Sequence, residues 1–156
     1  MLFHERAEKI QYKGRISVFA TDVHRHSLET ASKGVYEIER IRNVSPQQLT
    51  RYFTAEKSEQ YSIRPEIRKL VIFAPHNLIN DPPFTKMDLV CCRNLLIYFS
   101  SETQESSLRL LHFSLRSEGI LLLGLSEGPG RMADGFAAVH NKYKIFRKTG
   151  ASGQGI

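Results

Sequence analysis

Cysteine is nearly absent from this 156-residue chain: Cys91 and Cys92 are the only two, and they are adjacent. Neighbours in a strand point to opposite faces, so a disulfide between them is not expected. There is no CxxC spacing and no disulfide framework. Metal ligands are as sparse. Of six scattered histidines only His24 and His26 lie close together, without spaced cysteines or carboxylates to complete a site, so no metal is expected. Long apolar runs are also missing. Leu89–Phe99 is broken by Arg93 and Asn94, and Gly119–Leu125 is strand-sized. Neither approaches the roughly 20 residues of a membrane-spanning helix, so membrane insertion is not expected. Met1–Glu5 has no basic stretch followed by an apolar one, which leaves the secretory route unsupported and the cytoplasm as the default location.

What is present describes one ordinary globular domain. The apolar fraction is 41%, enough for a core at this length, and the charged fraction is 24%. The formal net charge of +6 admits either a nucleic acid or an acidic protein as partner. The basic residues are spread over Arg40–Arg42, Arg64–Lys69 and Lys142–Lys148, without interleaved aromatics for base stacking. Charge alone does not choose between the two.

Along the chain, Leu2–Tyr12 reads as the end of a helix. Ile16–Ala20 reads as a buried strand running into Thr21-Asp22, and His26–Lys33 as a helix with Gly34 just past its end. This strand–turn–helix unit opens an α/β pattern. Tyr36–Leu70 breaks the rhythm and reads as an insertion carrying short strands, with a short helix capped by Ser45 and led by Pro46. Strands resume at Leu70–Ala74 and Met87–Cys92. An amphipathic helix over Ser101–Leu115 follows, ended by Gly119, then an all-apolar strand at Ile120–Gly124. Phe136–His140 and Tyr143–Arg147 read as an antiparallel hairpin, and the Gly/Ser-rich tail 149–156 as disordered.

Open α/β sheets bind ligands beyond the carboxyl ends of their strands. Polar residues stand at three such places: Asp22, Asn77 and the Arg93-Asn94 pair. A carboxylate there can accept hydrogen bonds from both hydroxyls of a ribose. On position alone, Asp22 serves equally as a cap for the next helix. Taken by themselves, Arg93 reads as a buried ion-pair partner and Tyr98 as a core aromatic.

Several ordered motifs go further. Phe19-Ala20-Thr21-Asp22, Ala31–Tyr36, Val71–Leu78, Asp88–Phe99 with its Cys-Arg-Asn-x-x-Ile-Tyr-Phe pattern, and Gly124-Leu125-Ser126-Glu127 closely resemble the chemotaxis receptor methyltransferase (CheR) family. The resemblance runs from about Leu2 to Lys148 and is closest to versions fused to methylesterase and sensor domains. It implies an α/β, Rossmann-like class I methyltransferase sheet over 1–148, with an inserted β-subdomain at 36–70 and a C-terminal antiparallel hairpin. It implies S-adenosylmethionine as cofactor and glutamate side chains of methyl-accepting chemotaxis receptors as substrate. Asp22 would bind the ribose, Asn77 and Leu78 the adenine region, and Arg93 and Asn94 would lie along the cofactor toward the acceptor. Tyr98, with Arg93, would act at the transferred methyl group. In some relatives the β-subdomain docks a receptor tail by edge-strand pairing.

The chain departs from the family pattern in three ways. It shows neither the N-terminal helical domain nor the Gly-rich cofactor loop with its central strand, so the sheet is expected to be incomplete, with two unpaired inner edges. His24 stands where relatives commonly carry an acidic residue. A non-catalytic docking module of a sensory protein is therefore the alternative reading. A nucleic-acid methyltransferase is weaker: Asp81-Pro82-Pro83-Phe84 looks like the motif of such enzymes but precedes the strand it should follow.

Overall fold

The computed structural model describes residues 1–57 and 59–150, which fall into two compact units that divide between His76 and Asn77. The tail expected to be disordered lies mostly outside these residues. Thr149 is fastened, its amide donating to the Gly135 carbonyl at 3.0 Å and its hydroxyl to that of Asp134 at 3.0 Å.

In the first unit, α1 (Leu2–Lys9) precedes β1 (Val18–Asp22) and α2 (Arg25–Lys33). Gly34 ends α2 in the left-handed conformation at φ 63°, the position where a Cβ is costly. The insertion holds β2 (Val35–Glu37), α3 (Ile38–Ile41), α4 (Pro46–Tyr52), β3 (Phe53–Ala55), β4 (Gln60–Ile63) and α5 (Pro65–Arg68). Ser45 caps α4 by accepting the Gln48 amide at 3.2 Å, and Pro46 occupies the first turn where no donor is needed. The three short strands form an antiparallel sheet in the order β2-β4-β3. The core of this unit, Ile41, Tyr52, Phe53 and Ile67, belongs to the insertion.

Strand β5 (Val71–Pro75) pairs in parallel with β1, setting Asp22 opposite Pro75. The first strand begins two residues later than expected and is not buried: Val18 and Phe19 are each 41% exposed, and Ile72 of β5 is 42% exposed. Each of the two strands has a single paired neighbour among the described residues, so their apolar side chains are only partly covered.

The second unit contains β6 (Met87–Cys92), α6 (Ser101–Ser114), β7 (Leu115–Leu123), β8 (Phe136–His140) and β9 (Ile145–Lys148). Its sheet runs β6-β7-β9-β8, with β6 parallel to β7 and β9 antiparallel to both neighbours. The antiparallel hairpin is as expected, but its second strand begins at Ile145 rather than Tyr143, which lies in the turn. Among the described residues β6 pairs on one side only. The Ser100 hydroxyl accepts the Thr103 amide at 3.3 Å and starts α6, which lays Leu108 and Leu111 into the core. Leu121 and Leu123 of β7, two apart on one face, are fully buried there.

Gly119 does not end the helix. The chain passes from Ser114 directly into β7 at Leu115, and Gly119 lies inside that strand beside Glu118 at φ 62°. A Cβ on Gly119 would stand 2.9 Å from the Arg116 carbonyl and 3.1 Å from that of Met87, where the pairing with β6 shifts register. The glycine serves a bulge.

Candidate functional site

At the carboxyl end of β1, Asp22 is half-buried and its Oδ1 accepts the His24 amide at 2.9 Å. His24 is the cap residue of α2, so the carboxylate shapes the turn into the helix rather than satisfying the helix's own free amides. Its Oδ2 receives no hydrogen bond among the described residues, which leaves one acceptor uncommitted at a strand end.

The second unit holds the other candidates. Asn77 closes a loop on itself. Its amide donates to Asp81 Oδ2 at 2.7 Å, and its side-chain oxygen accepts the amides of Ile79 at 2.9 Å and Asn80 at 3.3 Å. The neighbouring Leu78 is partly buried against the core that contains Cys92 and Leu96. The loop is thus anchored by one apolar side chain and shaped by one reciprocal Asn–Asp pair.

Beyond β6 the backbone turns sharply. Asn94 adopts φ 58°, a left-handed conformation that asparagine tolerates better than most residues, and Leu96–Tyr98 then form a 3-10 turn. Leu96 is 2% exposed and pins this segment to the core. The side chains flanking it face outward. Arg93 is exposed and makes no ion pair among the described residues, and Tyr98 is 79% exposed. Neither is the buried partner or core aromatic that its residue type suggests in isolation.

What fixes the segment is Glu127, a residue whose motif is conspicuous in the sequence but whose role is not. The residue is 6% exposed, and its carboxylate accepts four backbone amides. Oε2 takes Asn94 at 2.9 Å and Gly124 at 2.6 Å; Oε1 takes Leu95 at 2.9 Å and Leu96 at 2.8 Å. Burial pushes this carboxyl up, but the four amides together outweigh it and hold the group below the ordinary glutamate range. Gly124 permits the close approach, since a Cβ there would lie 2.4 Å from Asn94 Oδ1 and 2.6 Å from Glu127 Oε2. Only the Gly-x-x-Glu spacing after an apolar strand hints at this arrangement; three of the four partners lie 31–33 residues away.

Neither thiol next to this segment is activated as a nucleophile. Burial, with Glu127 and Cys91 adding to it, pushes Cys92 up to about 12, and burial also raises Cys91 against the opposing pull of Arg93. Both are protonated at neutral pH. Among the described residues no group of three or more His, Cys, Asp or Glu is placed to hold a metal, and no helix is long and apolar enough to cross a membrane.

Comparison with known proteins identifies the family. The family model described as "CheR methyltransferase, SAM binding domain" matches residues 1–145. An uncharacterized 104.1 kDa protein of Rhodobacter capsulatus is 42% identical over 147 residues, which is 94% of this chain and 15% of that protein. Chemotaxis protein methyltransferase 1 of Pseudomonas aeruginosa is 35% identical over 137 residues, 86% of this chain and 50% of the relative. The chain therefore spans half or less of the length of these two relatives. Among solved structures, N-methyltransferase NodS from Bradyrhizobium japonicum, in complex with S-adenosyl-L-homocysteine, superposes with a TM-score of 0.50 at 11% identity, covering 85% of this chain and 66% of that one. That likeness concerns the fold, a Rossmann-like class I methyltransferase.

Proposed function

The chain belongs to the CheR methyltransferase family, and from this we propose that it transfers a methyl group from S-adenosylmethionine to glutamate side chains of chemotaxis receptor proteins. The observation that carries the reading is the segment after β6, whose fixed backbone presents two outward polar side chains, Arg93 and Tyr98. We take 1–148 as the methyltransferase domain, with 36–70 as its inserted β-subdomain.

The residues fit the cofactor in one testable respect: Asp22 keeps an acceptor oxygen uncommitted at the carboxyl end of a parallel strand, as a ribose diol requires. Asn77 and Leu78 are assigned to the adenine side, and Arg93 and Asn94 to the cofactor and its acceptor face. When bound, S-adenosylmethionine supplies a methyl group made electrophilic by its sulfonium.

The chain's own residues then have a limited task. A glutamate acceptor, with a reference pKa of about 4.3, is already ionised at neutral pH, so no general base is required. Protonated thiols at Cys91 and Cys92 agree with direct displacement and no covalent enzyme intermediate. The Tyr98 hydroxyl donates to the incoming carboxylate, and the Arg93 guanidinium supplies a cation to orient it. Rate comes from alignment and partial desolvation of that carboxylate. The receptor partner fits a basic chain, and the β2-β4-β3 sheet offers edges to an extended peptide.

Methyl transfer by the protein carrying this chain to a receptor cytoplasmic fragment tests the assignment. Tyr98→Phe is expected to lower kcat by about 10- to 100-fold while leaving cofactor affinity within about threefold. An unchanged kcat refutes the role. A second reading, a docking module without catalysis, is favoured by the one-sided pairing of β1 and β6 among the described residues. Receptor methylation by the same protein excludes it.

A further inference from the structure

We propose that Glu127 is a positioning residue for methyl transfer, its buried carboxylate setting the direction of Arg93 and Tyr98 through the backbone amides of Asn94, Leu95 and Leu96. This rests on the functional reading above and adds to it a residue that touches neither substrate nor cofactor.

Little else holds the two side chains. Arg93 has no ion pair among the described residues, Tyr98 is 79% exposed, and Ile97 between them is 49% exposed. Their directions therefore depend on the backbone beneath them. That backbone is unusual: a left-handed residue, Asn94, leads within two residues into a 3-10 turn. A short turn of this kind leaves its first amides without internal partners. Glu127 supplies the missing acceptors from another strand end, bonding Leu95 and Leu96 through one oxygen and Asn94 through the other.

The same second oxygen also accepts the Gly124 amide, and the Glu127 amide donates to the Gly124 carbonyl at 3.0 Å. The carboxylate is thus itself fixed by the turn that ends β7. One charged group ties the ends of two neighbouring parallel strands together at the edge where the proposed chemistry occurs. Leu96 anchors the middle of the segment from below, but a single apolar side chain does not set the peptide planes on either side of it. Water in place of the carboxylate could reach only the part-buried amides of Asn94 and Leu95, and would leave the segment free to turn. A glutamine cannot substitute, because its amide nitrogen meets two N–H donors where an oxygen is required.

Misplacement of a reacting group by about 1 Å costs about 100-fold in rate, which sets the scale of the effect. The test uses Glu127→Gln and Glu127→Asp in the protein carrying this chain, compared with wild type in three measurements. These are kcat for receptor methylation, the stoichiometry and affinity of S-adenosylhomocysteine binding, and hydrogen exchange at Asn94–Leu96 against Leu121–Leu123. The expected result for Glu127→Gln is a kcat lower by about 10- to 100-fold. Binding stoichiometry stays at the wild-type value, and exchange rises at Asn94–Leu96 while Leu121–Leu123 keep their protection. A merely structural role lowers stoichiometry and kcat together and exposes both sets of amides; that outcome overturns the proposal. So does an active, folded Glu127→Gln protein with wild-type kcat. If Glu127→Gln does not fold, Glu127→Asp, which keeps the charge but shortens the reach, decides by the same three measures. A wild-type protein that binds the cofactor yet methylates no receptor glutamate refutes the functional reading itself, and is told apart by the wild-type control.

Discussion

Replacing Glu127 by alanine should cost this chain more stability than removal of any ordinary surface charge. The substitution removes one carboxylate and strands four amides, of which those of Leu96 and Gly124 are buried. An unmatched buried amide costs about 1–3 kcal/mol, so the two give about 2–6 kcal/mol. The amides of Asn94 and Leu95 are only part-buried and can turn to water, so they add little. Urea unfolding followed by far-ultraviolet circular dichroism at pH 7 measures the difference. A control lies in its pH dependence. Because the folded-state pKa of Glu127 is depressed, its contribution is complete above the unfolded value of about 4.3 and is lost as pH falls through the lower folded value. The gap between wild type and Glu127→Ala should be constant from pH 7 to about 5 and narrow below about 4. A loss under about 1 kcal/mol at pH 7, or a gap that widens in acid, refutes the view that this carboxylate holds the segment.

Other expectations follow from single residues. Asp22→Asn keeps a side-chain oxygen for the His24 amide but removes the charge offered to a ribose, so affinity for S-adenosylhomocysteine should fall by about 10-fold or more in calorimetry, with thermal stability little changed. Leu121→Ala empties a fully buried site on β7 and should destabilise the chain by about 2–5 kcal/mol in denaturant titration. In the native chain a thiol reagent at pH 7 should modify exposed Cys91 and spare Cys92 until unfolding, since the latter is both buried and raised to about 12. Prompt reaction of both contradicts that.

Much of the local structure can be read from residue types, because it depends on neighbours in the chain. Ser45 and Pro46 announce α4, Gly34 announces the end of α2, and the unbroken apolar run Ile120–Leu123 announces a core strand. Asp22 at a strand end was visible for the same reason. Gly119 misled because a leucine-rich run from Leu108 to Leu123 satisfies helical and strand periodicities in turn, and the switch at Leu115 uses no breaker. Exposure was also hard to foresee: β1 is apolar but only half-covered, and Tyr98 is aromatic yet stands outward. The role of Glu127 was out of reach, since a carboxylate's partners more than 30 residues away leave no periodic trace.

The central claim is that Arg93 and Tyr98 act on a receptor carboxylate. Its most direct test is transfer of labelled methyl from S-adenosylmethionine by the protein carrying this chain, offered a receptor cytoplasmic fragment and, separately, nucleic acid. The account predicts base-labile label on receptor glutamates, mapped by peptide mass spectrometry, and a large loss of it with Tyr98→Phe. Label on nucleic acid instead, or receptor labelling indifferent to Arg93 and Tyr98, would contradict it.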